Sequence, residues 1–518
     1  MSDVLLALLI TVPLTAAVFP LLLGLRFERA GWPVALAGTL ATAVMALLLA
    51  VDVYTASLAP TTEGQRLVHE LAGYPAPYGI ELVGDGLSAL VALLISVVAV
   101  AVLVYDRSTQ RPNAFYSGYL LLTGGLFGMA LTGDLFNLFV FLEIVGLVTY
   151  ALVASGDGGE SAYGALKYLF VGTVGASFYL LGVGYVLVST GTLNMLEAQS
   201  ALAAEGLGYT DPLVQAAFGF ILVGFMLKIA LFPLHTWQPD AYTHAPDTVS
   251  AFISALVSTT AAYALIRISF DVFTVDFFAA NPLIAEGVVL LASVSIVVGS
   301  LLAAMQTEVK RVFAYSSVAQ FGMIVVAIGL NSETALLGAV IHLIGHGIMK
   351  ATLFMGAGLF SDAYGASTIS EYAGLAKRAP YTGGAMAVTG LALVGIPPSI
   401  GILGKVFIGL GAIEAGSWAV AVVIFVSTLL TLTYVARLIE AMYFKTPTEV
   451  ELDETAATES AEHAPVTEST LADGGRDTRI PRDRLAVVVV FALSTVVLFA
   501  SFGLFETMLE PVFGRFFQ

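Results

Sequence analysis

Fourteen apolar runs of roughly 20 residues each constrain this chain more than any other feature, because each is long enough to cross a hydrocarbon core as a helix. They lie near 3–24, 31–53, 82–105, 115–132, 134–154, 162–189, 212–233, 246–270, 282–304, 312–330, 334–360, 383–410, 417–443 and 485–507. The composition agrees: 58% of residues are hydrophobic and only 11% charged, whereas a soluble domain is about one quarter charged. The expected class is therefore an all-α polytopic membrane protein of about fourteen transmembrane helices. Met1-Ser2-Asp3 lacks the basic region of a cleavable signal peptide, so the first run is expected to be the first span. With no cysteine, a disulfide, a thiolate metal site and an iron–sulfur cluster are excluded, so no Cys-ligated cofactor is expected. No phosphate-binding glycine loop follows a strand, and no nucleic-acid signature is present.

Charge patterning supplies orientation. With fourteen spans, the odd-numbered loops hold Arg26, Arg29, Arg107, Arg111, Lys310, Arg311, Lys377, Arg378 and Lys445. By the positive-inside rule those loops face the cytoplasm and both termini face out. A cell-membrane location follows. The net charge of −17 comes largely from loops, and such an acidic, lysine-poor surface suits high ionic strength, where self-repulsion is screened. Residues 446–484 are rich in Thr, Glu, Ala and Pro without an apolar period, which reads as an acidic, disordered cytoplasmic linker.

Two spans are interrupted by proline at similar depth: "FMLKIALFPLHTWQP" around Pro233 and "LVGIPPSIGILGKVF" at Pro397-Pro398. Each carries a lysine, Lys228 or Lys405, within a turn or two of the break. Paired, proline-interrupted segments in two halves of a chain point to inverted repeats and an ion site; ordinary kinks are the alternative.

Glu143, Lys228, His342, His346, Lys350 and Lys405 all fall inside predicted spans. A charge at the bilayer centre costs on the order of 2.5–3.5 kcal/mol on insertion scales, so such residues are expected to be partnered or functional. Glu143 and Lys228 can serve as an ion pair whose two states differ in protonation; a static structural pair is the plainer reading. In "HLIGHGIMK", His342, His346 and Lys350 fall within about 80° of one helix face. That stripe fits a proton relay, satisfied interhelical histidines, or half of a zinc site, although no third ligand and no HExxH glutamate is evident.

With these residues in view, the chain resembles the antiporter-like subunits shared by Mrp-type sodium/proton antiporters and respiratory complex I. The resemblance covers roughly residues 75–445 and rests on five motifs in order. "TGDLFNLFVFLEI" is similar to the family's fifth helix with its Glu, and "KIALFPLHTWQPDAYTHAP" to the seventh-helix Lys and the FPLHxWLPxAHxxAP loop. "EVKRVFAYSSVAQFGM" is similar to DxKRxxAYSSxxQxG, while "HLIGHGIMKATLFMGAG" and "GIPPSIGILGKV" match the histidine helix and the broken twelfth helix. Within the family the wording is most similar to the D-subunit branch of Mrp antiporters, on "PAPYGIELVGDGLSAL", "GDLFNLF", "TGTLNM" and Lys405.

The resemblance implies two inverted five-helix repeats, each with a discontinuous helix. It divides the chain into N-terminal helices (1–110), a first repeat (111–272), a second repeat (273–445), the linker (446–484) and a C-terminal transmembrane helix (485–518). By position it implies proton transfer through Glu143 and Lys228 in one half-channel, His342, His346 and Lys350 along a connecting axis, and Lys405 at the exit of the other. The implied partners are the other membrane subunits of one complex, H+, Na+ and the bilayer. The chain departs from the family pattern where Thr259 replaces a common Lys, Ser254 a His found in some members, and Tyr242 the loop His, with His244 two residues on and His235 earlier in the same loop. Ser258, Thr259 and Thr260 can support a water wire but cannot store a proton. Two other readings stay open: the proton-pumping arm of a quinone- or hydrogenase-linked oxidoreductase, and a scaffold paralogue that has lost transport.

Overall fold

The computed structural model describes residues 2–58, 66–204, 208–446 and 480–517. Twelve helices among the described residues are long and apolar enough to cross a membrane. The two remaining apolar runs, 212–233 and 383–410, are the proline-interrupted ones. Each forms a shorter helix that stops near the expected break, so the fourteen crossings are all accounted for.

Helices α1 (Ser2–Ala16) and α2 (Val18–Gly24) together make the first span, followed by α3 (Gly31–Ser57) and α4 (Gly86–Tyr105). Between α3 and α4 lies a short antiparallel hairpin, β1 (Leu67–Glu70) on β2 (Glu81–Gly84), with Leu67 opposite Gly84. Apolar-run counting does not reveal it, and the expected third span of 82–105 loses its first residues to β2. Asp85 and Ser88 close a reciprocal capping box that starts α4 at once.

The next unit holds five spans: α5 (Asn113–Leu131), α6 (Leu135–Ala154), α7 (Gly158–Thr190), α9 (Pro212–Lys228) and α11 (Asp247–Ile268). Short helices α8 (Met195–Ala203), α10 (Trp237–His244) and α12 (Thr274–Ala280) sit in its connections. A second unit follows with α13 (Pro282–Met305), α14 (Val309–Leu330), α15 (Glu333–Tyr364), the split pair α17 (Pro380–Val394) and α18 (Ile400–Glu414), and α19 (Trp418–Tyr443). A one-turn helix, α16 (Leu375–Arg378), precedes the split pair. Five is odd, so the second unit starts from the opposite side of the membrane, and in both units the fourth span is the broken one. Backbone pairing marks the same symmetry. Asp134, which caps α6, bridges to Asn194 after α7, and Glu308, which precedes α14, bridges to Thr368 after α15. The second pair lies 174 residues beyond the first (308 against 134, 368 against 194).

The interior is built from α11, α14 and α15, whose most apolar stretches are 94–100% buried, while α7, α13 and α19 bury only 33–39% and leave the rest for lipid. All of these read as apolar on every face, so hydropathy alone does not separate inner from outer helices.

Two expectations need correction. The last span ends at Ala500 rather than near 507, because α20 (Arg482–Ala500) stops at Ser501 and a separate helix, α21 (Phe502–Phe516), follows. Helix α21 is two-faced: Phe505, Met508, Leu509, Val512, Phe513 and Phe516 are buried, and it packs on the start of α4. The linker expected at 446–484 falls almost wholly at 447–479, outside the described residues, and its end already belongs to α20, where Arg484 binds Asp362 at 2.7 Å.

Candidate functional site

Lys228 is the last helical residue of α9. Beyond it Ala230 takes a left-handed φ of +57° and the chain turns through Phe232-Pro233. The turn is held from outside, since the Phe232 amide donates to Ser295 Oγ and the Ser258 hydroxyl donates to the Lys228 carbonyl. The Lys228 ammonium lies 3.5 Å from Glu143 Oε1 on α6, and among the described residues neither atom has a regular hydrogen-bond partner. The lysine side chain is 7% exposed and the glutamate 25% exposed, so the carboxylate sits at the outer wall of the bundle. Gly146, one turn after Glu143, makes room: a Cβ there would come within 3.3 Å of Lys228 Nζ and 3.0 Å of the Tyr150 hydroxyl. Tyr150 packs edge-on against Tyr168, which stacks on Trp237 at 3.8 Å, and the Trp237 indole donates to the Leu227 carbonyl. Aromatic rings thus wall the pair on the side of α10.

Toward the centre lies Tyr242, fully buried. Its hydroxyl is 3.2 Å from Ser258 Oγ and accepts from Gln238. Ser258 in turn touches the Lys228 carbonyl, so Tyr242 and Ser258 lie beside Lys228. The next two hydroxyls, Thr259 and Thr260, are fully buried with no hydrogen-bond partner among the described residues. His235 is buried with its ring against Phe232 and Tyr315, whereas His244 lies further out and pairs with Glu160 at 3.2 Å. These two loop histidines are therefore not in one place.

The histidine helix, α15, carries His342, His346 and Lys350 along one stripe, all fully buried. Their partners come from α14. Gln320 Oε1 meets His342 Nε2 at 2.7 Å, and Lys350 donates to Ser316 Oγ and, at 2.7 Å, to the Phe313 carbonyl. The other ring nitrogen of His342, Nδ1, faces Gly404 on α18, where a Cβ would lie 2.8 Å from it. His346 has no hydrogen-bond partner at either ring nitrogen and lies edge-on to Phe321.

Lys405, next to Gly404, reaches back across the second break and donates to the carbonyls of Leu393 and Val394, both at 2.9 Å. These are the last carbonyls of α17, the negative end of that helix, so the cation rests on a dipole and not on a carboxylate. The glycine at the break, Gly395, has φ +95° and leaves space for the lysine stem.

The structure thus brings the six predicted ionisable residues into two groups, Glu143 with Lys228, and His342, His346 and Lys350 along α15 with Lys405 on the adjoining α18, and of the three predicted water-wire hydroxyls it sets Ser258 against the Lys228 carbonyl. Gln320 and Ser316 are the members that sequence reasoning passed over, although both stand in "AYSSVAQ" one helical turn apart. Among the described residues no group of three or more His, Asp or Glu is placed to hold a metal ion.

A membrane bundle with two oppositely oriented units, each with a broken helix and a buried lysine, defines the class of antiporter-like membrane subunits. The family model described as "NADH:quinone oxidoreductase/Mrp antiporter, TM" matches residues 132–431, more than half of the chain, and the chain belongs to that family. It is 42% identical over 390 residues to the N subunit of NADH-quinone oxidoreductase from Desulforudis audaxviator, covering 74% of this chain and 76% of that one. It is 31% identical over 372 residues to the D subunit of the Na(+)/H(+) antiporter from Bacillus subtilis, covering 71% and 74%. A chain in the structure of the Mrp complex from Dietzia superposes with a TM-score of 0.85 at 24% identity, over 100% of this chain and 98% of that one, and shows the shared fold.

Proposed function

We propose that this chain is the proton-translocating subunit of a multisubunit Mrp-type antiporter exchanging a monovalent cation, Na+, for protons. The observation that carries the reading is the Glu143–Lys228 pair: two opposite charges 3.5 Å apart inside the bilayer, without hydrogen bonds to fix either. A pair held only by its mutual attraction can be separated by a nearby charge, whereas a structural pair normally has its remaining donors and acceptors satisfied. In this reading a proton arriving at Glu143 releases Lys228. Tyr242, Ser258, Thr259 and Thr260 then supply hydroxyls toward the histidine helix. His342 and His346 pass the proton along α15, and Lys405 controls exit at the second break. Lys350, tied to Ser316 and the Phe313 carbonyl, supplies fixed charge or a proton to that axis. The repeat boundaries near 111, 273 and 445, the outward termini and the cytoplasmic linker belong to the same proposal.

A second reading, the proton-pumping arm of a complex I-like oxidoreductase, is favoured by the 42% identity to an NADH-quinone oxidoreductase N subunit. The deciding experiment expresses the whole operon in an antiporter-deficient host. Restored sodium resistance that is lost in Glu143→Ala and Lys405→Ala, with assembly intact, supports the antiporter. Wild-type resistance in either variant overturns the mechanism, and co-purification of redox subunits with quinone reduction overturns the antiporter assignment.

A further inference from the structure

On the side carrying Arg29, Arg107 and Arg111, two cavities flank the start of α5 and share Arg111 and Pro112 in their walls. The first, about 530 Å³, opens between the α2–α3 turn and the α4–α5 connection and is lined by Arg29, Trp32, Arg107 and Arg111. Its frame is fixed: the Trp32 indole donates to the Leu103 carbonyl at 2.9 Å, and Asn113 accepts from the Gly31 amide at 2.7 Å. Arg107 lies over the Trp32 ring at 5.3 Å. Two carboxylates face this charge. Asp106 is fully buried and already engaged by Thr248, Arg111 and Tyr116, and Glu28 lies at the rim. Arg29 and Arg107 form no ion pair among the described residues, which leaves the cavity with excess positive charge.

The second cavity, about 480 Å³, is a lipid-facing apolar groove between α5 and α6, walled by Phe115, Gly118, Leu147, Val148, Ala151 and Leu152. Gly118 and Ala151, among the smallest residues in its wall, leave room along the groove. Arg111, whose guanidinium lies 5.3 Å from the Phe115 ring centre, stands where the polar cavity meets the groove. A basic pocket with a tryptophan at the membrane surface suits a phosphate headgroup, and an adjoining groove of small apolar residues suits a hydrocarbon chain.

We propose that the two cavities form one binding site for an anionic phospholipid. Its phosphate lies among Arg29, Arg107 and Arg111, and one acyl chain lies along α5 and α6. The charge at the groove's end argues for a phosphate-bearing lipid over a partner helix. None of the proposed proton-path residues lines either cavity, and the site does not depend on which complex the chain serves.

The test uses the intact complex in phosphatidylcholine vesicles doped with a phosphatidylglycerol or a phosphatidylcholine probe carrying a photoreactive group in its acyl chain. Labelled peptides are then mapped. We expect the glycerol lipid to label residues 147–155 roughly tenfold more than the choline lipid, a preference set by basic residues at the surface. Arg29→Gln with Arg107→Gln should erase that preference. Ala151→Phe, on an exposed position, should reduce labelling by both lipids, and Arg26→Gln, outside the cavity, should change nothing. Equal labelling by both probes in the wild type, a preference that survives the double variant, or an equal loss in Arg26→Gln overturns the proposal.

Discussion

Lys228 and Lys405 occupy corresponding spans but are held by different chemistry, one facing a single carboxylate and the other two backbone carbonyls. Removing a partner therefore acts differently on each. Glu143→Gln keeps the shape of the site and removes the carboxylate paired with Lys228. Because the glutamate is a quarter exposed at the bundle wall, we expect assembly to persist on native gels while proton-coupled transport falls by at least about tenfold, the scale of a lost proton-transfer group. Gln320→Leu tests the second half. It removes the side chain that hydrogen-bonds His342 Nε2, so transport should drop in proteoliposome assays with little change in expression; unchanged rates would remove Gln320 from the path. The charged members of this line were legible in the sequence because a charge in an apolar run is costly. Gln320 and Ser316 were not, since an uncharged polar side chain is unremarkable in a helix until its partner is known. Their spacing, one turn apart on the helix that precedes the histidines, was the signal available.

At the scale of elements, the two units diverge where they should correspond. Ser317 stands 174 residues beyond Glu143, the offset set by the Asp134–Asn194 and Glu308–Thr368 bridges, so the second unit has no carboxylate at that depth. By the same offset His342 corresponds to Tyr168 and His346 to Gly172. This accounts for the resting place of Lys405 on the end of α17: with no acid on α14, helix carbonyls are the strongest acceptors near the break. The sequence showed both breaks, and the family resemblance implied the five-helix repeats. The sequence did not show the β1–β2 hairpin or α21, because the apolar runs of 82–105 and 485–507 absorb the end of β2 and the start of α21. Close packing brings α9 into position, with Gly224 on α9 against α7; a Cβ at Gly224 would lie 2.8 Å from the Gly175 carbonyl. Lys228 is one turn further along. Gly224→Val should push the helices apart at a cost of about 1–3 kcal/mol, as overpacking does, and displace Lys228 from Glu143. A lower melting temperature together with reduced transport is the expected result, and full activity would show that the pair tolerates movement.

At the scale of the whole molecule, the two ends of the chain meet at one buried charge. Asp85 starts α4, and its Oδ2 accepts from Arg267 at the end of α11 at 2.8 Å and from Arg515 on α21 at 2.7 Å, while Arg267 also binds Asp271 at 3.2 Å. Helix α21 is thereby fastened to the N-terminal helices and the first repeat on the side opposite the arginine-rich loops. Burial alone would raise the Asp85 carboxyl, but the surrounding guanidinium groups of Arg267, Arg515 and Arg66 outweigh it and hold the group far below the usual carboxylate range. A folded-state value below the unfolded one contributes stability that is fully present above about pH 4, the unfolded carboxyl value, and is lost only as pH falls through the folded value. The wild-type fastening should therefore be insensitive to pH between about 5 and 8, the usual range of maximal stability. Arg515→Ala removes one charge-assisted hydrogen bond, worth about 1.5–3 kcal/mol, but leaves Arg267 on Asp85, so the chain should still fold. The expected outcome is a lower melting temperature at neutral pH and an acid transition that begins at higher pH than in the wild type. The same shift should follow deletion of residues 502–518, because Arg515 is the only α21 residue bound to Asp85 among the described residues. If the deletion lowers the melting temperature and Arg515→Ala does not, the apolar face of α21 holds the ends together and the ion pair is dispensable.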